Sequence, residues 1–360
     1  MKTNKKFRDY NDAEKYLGTV VECRKGYAAE EEIRKNAASG GMITALLCFL
    51  LQKKIIDGAW VSKSKVEDGK LSYDTFIATS PEEIREASSS IYMDMPLLKH
   101  IDMVRQFEGK VAVVLIPCQM KALSALIERE EELKEKIVLK LGLYCSGAHS
   151  ENATLLPLKK AGVTLDGATR LFYRRGHWRG NSAVMYQDGS EKLFSYTKSI
   201  CVYKNAFYFS KDRCMMCQDQ YAFAADISFG DIWIKEMQDS PIKHTSCIIR
   251  NQRALELYQL AVSEGAIIDS AITAEDVVRS QKRALTFKFN CAQAKVDEYA
   301  KEGKSISLDT SDVCKWNHKL AYKLAIRNKT FSEKHFDKLE KKSMKTQYYY
   351  MCFIRFLLSF

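Results

Sequence analysis

The chain has 360 residues, 46% of them hydrophobic and 28% charged, which is enough for about two domains and excludes wholesale disorder and collagen-like repeats. The net charge is +11, but residues 301–360 hold 13 Lys and Arg against 6 Asp and Glu and so contribute +7 of it. Because the rest of the chain is nearly neutral, the composition disfavours nucleic-acid binding.

The first hundred residues predict a helix, two strands and further helices. Ser39-Gly40-Gly41 precedes a long apolar run, so we expect Ser39 to be the N-cap of the first helix. In chain order, the predicted elements are a helix over 39–54, strands over 55–61 and 71–78 with a turn at 67–69, a helix from Ser80-Pro81, and a helix over 96–107.

The next segment has the pattern of a strand, a helix and a second strand. Apolar strands over 110–116 and 137–144 flank a helix over 120–136. Such a βαβ unit places its two strands side by side and parallel. Cys118 and Cys145 each follow the carboxyl end of one strand, where parallel sheets bind their ligands. We therefore expect both cysteines at the same edge of the sheet.

From residue 170 the pattern alternates as in antiparallel strands, and Asp188-Gly189 is a strong hairpin signal. The predicted elements are strands over 170–174, 182–187, 192–196 and 244–250, a helix over 252–264, and basic helices beyond 280. Together they predict an α/β (α+β) fold: a mixed sheet with βαβ units flanked by helices, an antiparallel hairpin region and a basic helical C-terminal extension. The predicted units are an N-terminal domain (1–108), a C-terminal domain with the cysteines (109–280) and the extension (281–360).

Four of the eleven cysteines have ligand-like spacing. Cys214-x-x-Cys217, expected in a loop, can bind a metal or two corners of a cluster, although a redox dithiol or a structural role is an alternative. With Cys118 and Cys145 the pair makes four thiolates, enough for tetrahedral zinc or a 4Fe–4S cluster. Zinc sites usually use two close pairs of ligands, so this spacing suits a cluster slightly better.

Two other motifs suggest an anionic ligand. Gly40 and Gly41 at a helix N-terminus would let backbone N–H groups approach a phosphate, although an ordinary helix cap has the same sequence. The arginine-rich segment Arg174–Gly180 could hold an anionic or planar ligand, or be a solvated turn. No dinucleotide fingerprint or Walker lysine is present, and Asp226 and Asp231 have no carboxylate partner that would define acid–base chemistry.

Taken together, these clusters resemble the coenzyme F420 hydrogenase/dehydrogenase beta-subunit family. The resemblance covers about residues 15–265, and its motifs occur in the family's order. The matching segments are Arg34 with Ala38–Gly41, Ile56–Gly58, Ser90 with Tyr92, Pro117–Gln119, Gly142–Cys145, Arg175-Gly176-x-Trp178-x-Gly180, Arg213–Cys217, Ala225–Trp233 and His244–Arg250.

The resemblance implies a flavin-dependent oxidoreductase subunit that binds FAD close to a 4Fe–4S cluster. It implies that four cysteines ligate the cluster: Cys118, Cys145, Cys214 and Cys217. It also implies cofactor contacts from Arg34, Ser39, Gly40, Gly41, Ser90, Tyr92, Arg175, Gly176 and Trp178. A flavin converts single-electron transfer into hydride transfer, and coenzyme F420 is the candidate small-molecule co-substrate. Catalytic residues stay unassigned, and the alternative is a non-enzymatic module, either a zinc-stabilised binding protein or an electron-transfer adaptor.

Two features depart from the family pattern. Many relatives begin with a ferredoxin-like domain, which no segment before Cys23 could supply, so we expect electrons from a separate protein such as a ferredoxin. The family's Gly-Thr-Pro-Cys is Leu115-Ile116-Pro117-Cys118 in this sequence, which alters the surroundings of the cysteine.

The C-terminal tail combines lysines with aromatic residues. No apolar run is long enough to span a bilayer, and the polar N-terminus lacks the apolar core of a secretory signal, so we expect a cytoplasmic protein. The segment 348–360 could contact the inner membrane surface peripherally, with the preceding lysines near anionic lipid. We favour the alternative, a terminal helix that docks its apolar side on the body or on a partner subunit.

Overall fold

An eight-stranded mixed sheet forms the centre of the computed structural model, which describes residues 13–176 and 180–360. Its strands, in order across the sheet, are β11 (Ile267–Ala271), β1 (Glu22–Ala28), β10 (Thr245–Ile249), β9 (Ile227–Asp231), β5 (Ile137–Leu143), β4 (Val111–Leu115), β2 (Gly58–Glu67) and β3 (Lys70–Ala78). The central strands β2, β4, β5 and β9 run parallel, and the outer neighbours pair antiparallel. The predicted fold class and the parallel pairing of β4 with β5 are confirmed.

Helices cover both faces of this sheet, so its apolar strands are buried on two sides. One face carries α2 (Glu31–Asn36), α3 (Met42–Gln52), α4 (Pro81–Glu86) and α11 (Gln252–Ser263). The other carries α5 (Asp102–Gln106), α6 (Pro117–Ile127) and α7 (Glu131–Lys136) near β4, and α1 (Glu14–Leu17), α12 (Ala274–Ser280) and α13 (Lys282–Leu285) near β1.

A small antiparallel sheet packs against the long hairpin of β2 and β3. It consists of β6 (Ala168–Arg175), β7 (Asn181–Tyr186) and β8 (Glu191–Ser195). The chain turns between β7 and β8 at Asp188-Gly189, as expected. The Ser64 hydroxyl of β2 donates a hydrogen bond to the carbonyl oxygen of Leu171 in β6 and links the two sheets.

The remaining helices form a second apolar core beside the sheets. They are α8 (Asn152–Lys160), α9 (Ile200–Asn205), α10 (Asp212–Met216), α14 (Ala292–Lys301), α15 (Trp316–Lys334), α16 (Phe336–Lys341) and α17 (Met344–Leu357), with a π-helical turn over Thr286–Asn290. The terminal helix α17 buries Met351, Ile354 and Leu357 against this core, which confirms the docking interpretation. Within the described residues, none of the helices is both long and apolar enough to cross a membrane.

Element boundaries differ from the sequence prediction at the first helix and strand. The prediction of Ser39 as an N-cap was wrong: α3 begins after Gly41, whose φ of 82° lies in the left-handed region. The Ser39 hydroxyl instead donates to the carbonyl oxygen of His244. The strand expected from residue 55 begins at Gly58, because the N–H groups of Ile55 and Ile56 donate back to Leu50 at the end of α3.

Two expected long helices are each divided in the structure. The helix over 96–107 is a 3₁₀ turn, Leu97–His100, followed by α5. The helix expected over 120–136 starts earlier, because Pro117 has no N–H to lose and fits the first turn, and a break after Ile127 separates α6 from α7. Cys118 therefore lies in the first turn of a helix. The division at residue 108 stays a prediction, and the central sheet takes strands from both sides of it.

Candidate functional site

A cavity of about 600 Å³ opens at the carboxyl ends of β4, β5 and β9. Its walls include Gly41 before α3, Tyr92, Arg174 at the end of β6, Cys145 after β5 and Asp231 at the end of β9. Parallel sheets bind ligands at this position, and the volume is in the range of small-molecule sites. Residues from the glycine motif, the arginine segment and the cysteine set thus border one space.

The glycine loop before α3 forms one end of the cavity. Ser39, Gly41 and the first residues of α3 line it. The Ala45 N–H bonds to the Gly41 carbonyl oxygen, and N–H groups before it have no partner within a helix. This helix start can therefore receive a phosphate group.

Gly40 has a different role from the one expected. Its N–H donates to the Thr245 hydroxyl at 2.8 Å, so it is not available to a phosphate. A Cβ at Gly40 would lie 2.5 Å from the Gly26 carbonyl oxygen, so close packing between the loop and β1 requires glycine there. The expectation that both glycine N–H groups face a ligand is wrong for Gly40.

Two cations hold this loop from behind. Arg34 donates from Nη1 to the carbonyl oxygens of Ala28 and Ala29, so it fixes the end of β1 and is not among the described residues that line the cavity. Lys243, which sequence reasoning missed, is buried with its ammonium group on the Ala37 carbonyl oxygen. Burial, with a smaller effect of the Arg174 charge, lowers the pKa of Lys243 to about 8. Its only sequence signal is its place directly before the predicted strand over 244–250.

Arg174 and Asp231 form a buried ion pair in the cavity wall. The Arg174 guanidinium also lies 5.1 Å from the centroid of the Trp233 ring. Burial lowers the pKa of Arg174, but the charges of Asp231 and Tyr92 outweigh it and hold that pKa above its usual value. Arg174 is buried near the end of β6, whereas Arg175, which was expected to bind cofactor, is half-buried and pairs with Glu191. Four consecutive buried residues, Leu171–Arg174, and a bulge before Arg175 break the strand alternation, so the sequence carries no simple signal for Arg174.

Two other residues of this segment, Gly176 and Trp178, were also expected to contact the cofactor. Gly176, at φ 78°, has open space around the position of a Cβ. Trp178 lies outside the described residues. Cofactor contact by either residue therefore stays a prediction.

Ser90 and Tyr92 both line the cavity, as the resemblance implied they would lie near a ligand. The Lys204 ammonium is 3.4 Å from the centroid of the Tyr92 ring. Burial raises the pKa of the Tyr92 phenol, but the charges of Lys204 and Arg174 outweigh it and leave that pKa below its ordinary value. A phenol so placed can donate or share a proton with a bound group.

Two buried oxygen atoms in the cavity wall have no hydrogen-bond partner among the described residues. They are Oδ1 of Asp231 and Oε1 of Gln220. Gln281 joins the two residues, since it accepts from Gln220 Nε2 at 3.4 Å and donates to the Asp231 carbonyl oxygen at 2.6 Å. An unsatisfied buried acceptor is costly, but both oxygens are buried within the wall and are not exposed to a ligand in the cavity.

Two of the four candidate cysteines, Cys145 and Cys214, line the same cavity. Cys118 is exposed and interacts with Arg213, the residue before Cys214. Cys145 follows β5 at the same sheet edge as Cys118, as expected from the parallel pairing. The pair Cys214-x-x-Cys217 is not in a loop: it spans α10 and the residue that caps it.

Electrostatics link three of these thiols. Burial raises the pKa of Cys145 to about 11, Lys288 opposes this effect, and Cys214 and Cys217 add to it. The Lys288 ammonium donates to the Cys217 sulfur at 3.2 Å. Cys145 therefore lies close enough to Cys214 and Cys217 for their charges to affect its pKa.

Among residues 13–176 and 180–360, no group of three or more Cys, His, Asp or Glu side chains forms a site for a single metal ion. In a cubane cluster each thiolate binds a different iron atom, so its four sulfurs lie farther apart than around one zinc ion. The ligand assignment therefore stays a prediction, with two of the four thiols, those of Cys145 and Cys214, in the cavity wall.

Family models match most of the chain. Both describe the beta subunit of coenzyme F420 hydrogenase/dehydrogenase: the model of its N-terminal part matches residues 23–102, and the model of its C-terminal part matches residues 108–275. Together they cover the central sheet and all four candidate cysteines.

Individual relatives agree with the family models. The beta subunit of coenzyme F420 hydrogenase from Methanococcus voltae is 27% identical over 70% of this chain and 83% of the relative. The beta subunit of F420-dependent formate dehydrogenase 1 from Methanococcus maripaludis is 26% identical over 67% of this chain and 59% of the relative. A chain of the F420-reducing NiFe hydrogenase complex from Methanosarcina barkeri has a TM-score of 0.62 over 82% of this chain and 98% of that one, at 22% identity, which supports the fold.

Proposed function

Because the chain belongs to the coenzyme F420 hydrogenase/dehydrogenase beta-subunit family, we propose that it is an oxidoreductase subunit that binds FAD and one 4Fe–4S cluster. One observation carries the proposal: a single cavity is lined both by the N-terminus of α3 and by Cys145 and Cys214. When bound, the flavin would convert single electrons from the cluster into hydride transfer with an organic partner.

Residues of the cavity can hold and orient the flavin. Ser39, Gly41 and the helix start behind them suit its pyrophosphate, because N–H groups and the helix dipole favour an anion. Ser90 and Tyr92 also line the cavity and are the further flavin contacts that we propose.

Cys118, Cys145, Cys214 and Cys217 would hold the cluster, with Cys118 at its solvent side. Lys211 and Arg213 lie near this exposed edge and are paired with Asp94. Basic groups around an exposed ligand favour the approach of an acidic electron carrier, so we propose a ferredoxin-like protein as the partner that delivers electrons.

The hydride partner is a small molecule that enters the same cavity. Relatives are named for the use of coenzyme F420 in hydrogenases, formate dehydrogenase and sulfite reductase, and coenzyme F420 is therefore the first candidate. Anaerobic mixing of the oxidised holoprotein with reduced coenzyme F420 or with reduced nicotinamides, followed by flavin absorbance, identifies the partner that bleaches it.

Besides the surface around Cys118, we propose that the outer face of α17 binds a partner subunit. Tyr349, Phe353, Phe356 and Phe360 are exposed along it, although the opposite face is docked. Co-sedimentation with anionic vesicles tests the membrane alternative: salt-sensitive binding that Phe353→Ser and Phe356→Ser abolish would favour peripheral membrane contact, and no binding at low salt leaves the protein partner.

Anaerobic purification with iron, zinc and flavin assays tests the cofactors. We expect about four irons and one acid-released FAD per chain. Cys217→Ser should lose iron, and Cys352→Ser, in the tail, should keep it. Zinc without iron or flavin would replace this proposal by the zinc-stabilised binding module.

A cavity-filling variant tests the flavin site separately. Ser90→Trp places a large side chain at the cavity wall, so flavin retention should be lost while iron content is kept. Ser190→Trp, at the exposed turn between β7 and β8, is the matched control. Full flavin occupancy in Ser90→Trp would contradict the assignment of this cavity.

A further inference from the structure

Two lysines of the C-terminal extension are almost completely buried beside the cysteine set. Lys288 is 2% exposed and Lys295 is 0% exposed, and both lie beyond residue 275, where the family models end. Lys288 donates to the Cys217 sulfur at 3.2 Å and to the Asp219 carbonyl oxygen at 2.9 Å. The Lys295 ammonium is 3.5 Å from the Lys288 carbonyl oxygen and 4.6 Å from the centroid of the Phe287 ring.

Of the two side chains, Lys288 is the one whose buried ammonium group lies within hydrogen-bond distance of a cysteine sulfur. An isolated ammonium group is strongly disfavoured in an apolar interior, and a nearby anion is the usual compensation. The Cys217 sulfur is the group that can carry negative charge at hydrogen-bond distance from Lys288. An anionic centre ligated by this sulfur would provide that compensation, so the contact favours negative charge beside Lys288.

The extension is held over Cys217 by a specific set of hydrogen bonds. The side chain of Gln218 donates to the Asp309 carbonyl oxygen and accepts from the Asp309 N–H, both at 2.8 Å. Gln218 Nε2 also lies 3.4 Å from the Lys288 carbonyl oxygen. Two segments of the extension are thus fixed directly to the residue after Cys217.

The local backbone places Lys288 with its side chain inward. It lies in the π-helical turn Thr286–Asn290, between two buried phenylalanines. Phe287 stacks on Phe207 with ring centroids 4.3 Å apart, which fixes this turn against the core. Such π-turns are frequent at functional sites.

We propose that the extension supplies Lys288 as a positioning residue for the redox centre, where its ammonium binds the Cys217 sulfur and makes the cluster easier to reduce. The inference rests on the proposed function, because it needs a cluster on these cysteines. Reduction adds one electron from the donor protein and one negative charge to the centre, with no proton transferred. A fixed positive charge and a hydrogen bond to a ligating sulfur both favour the more negative state, so the reduction potential rises.

Redox titration of the anaerobic holoprotein, followed by electron paramagnetic resonance, tests this role. Lys288→Met removes the charge at similar length, and we expect full iron content with a reduction potential shifted to a more negative value. Lys288→Arg keeps the charge and should restore most of the wild-type potential. Lys301→Met removes an exposed lysine from the same extension and should change nothing. An unchanged potential in iron-replete Lys288→Met overturns the inference and leaves the proposed function intact.

A measurement on the wild-type chain makes the test independent of variant folding. In protein labelled with ¹⁵N at the lysine side chains, the reduced cluster should show a hyperfine coupling to a lysine nitrogen. A cluster without this coupling overturns the role of Lys288. A wild-type chain without iron overturns the proposed function and this inference with it, so the two failures are distinguishable.

Discussion

Acidification should destabilise this protein through one buried histidine. His149 is 4% exposed, lines the cavity, and has Nδ1 3.1 Å from the Tyr208 carbonyl oxygen. Its backbone bridges Met93 on one side and Ser210 on the other, so it joins the Tyr92 segment to the segment before α10. Burial, assisted by the Lys204 charge, lowers the pKa of His149 to about 4 from its ordinary value of 6.5.

The magnitude follows from this difference in pKa. The unfolded chain binds a proton at His149 below pH 6.5, and the folded chain does so only near pH 4, so stability is present above pH 6.5 and is lost as the pH falls through this window. At about 1.36 kcal/mol per pH unit, the loss approaches roughly 3 kcal/mol. Denaturant titrations between pH 7 and pH 4 measure it. His149→Asn keeps a donor for the Tyr208 carbonyl and should flatten this part of the pH dependence, whereas His100→Asn, at an exposed site, should not. Identical pH dependence in wild type and His149→Asn would refute the reasoning.

Three further variants probe the cavity walls. Arg174→Met leaves the Asp231 carboxylate unpaired, and denaturant titrations should show a free energy of unfolding lower by about 3–5 kcal/mol. A loss of less than about 1 kcal/mol is typical of an exposed ion pair and would contradict the assignment of a buried pair. Lys243→Met should be the more stable protein at pH 7 because it removes a buried charge. The folded pKa near 8 lies below the ordinary 10.5, so wild type regains stability as the pH rises from 8 to 10.5, and a constant difference in denaturant titrations across that window would count against this account. Gly40→Ala forces a Cβ towards the Gly26 carbonyl oxygen and should lower the melting temperature, whereas an unchanged value would show that the loop can move aside.

Local patterns were sufficient for much of the fold. The apolar strands around 110–116 and 137–144 and the helix between them form a parallel pair, because a βαβ connection leaves the chain few alternatives. The Asp188-Gly189 turn and the helix that begins after Ser80, with Pro81 in its first turn, also occur as expected. The predicted element boundaries were wrong where another hydrogen bond competed with the expected pairing. Ile55 and Ile56 are an example, because their N–H groups donate to the Leu50 carbonyl oxygen at the end of α3 and not to a neighbouring strand.

The candidate site was predictable only in part. Cys145, Cys214, Ser90 and Tyr92 do border the cavity, because their motifs follow strands or loops that the sheet brings together. Arg175 was preferred over Arg174 because a resemblance supplies motif positions without the direction of each side chain. In β6 the residues Leu171–Arg174 are all buried and a bulge interrupts the pairing, so strand alternation does not predict that direction either.

Fold class and family followed from the sequence, since periodicity, turn residues and ordered motifs are all local properties of the chain. The placement of two buried basic side chains emerged only from the folded structure. Lys243 and Lys288 are far in sequence from the loop and the cysteine that they contact, and no local pattern predicts such contacts. The role of Gly40 also became clear only from the structure, where the backbone of β1 packs against it and leaves no space for a Cβ. In the sequence, such a glycine cannot be told apart from one that makes room for a ligand. Burial and long-range pairing set charge placement, and both exist only once the chain has folded.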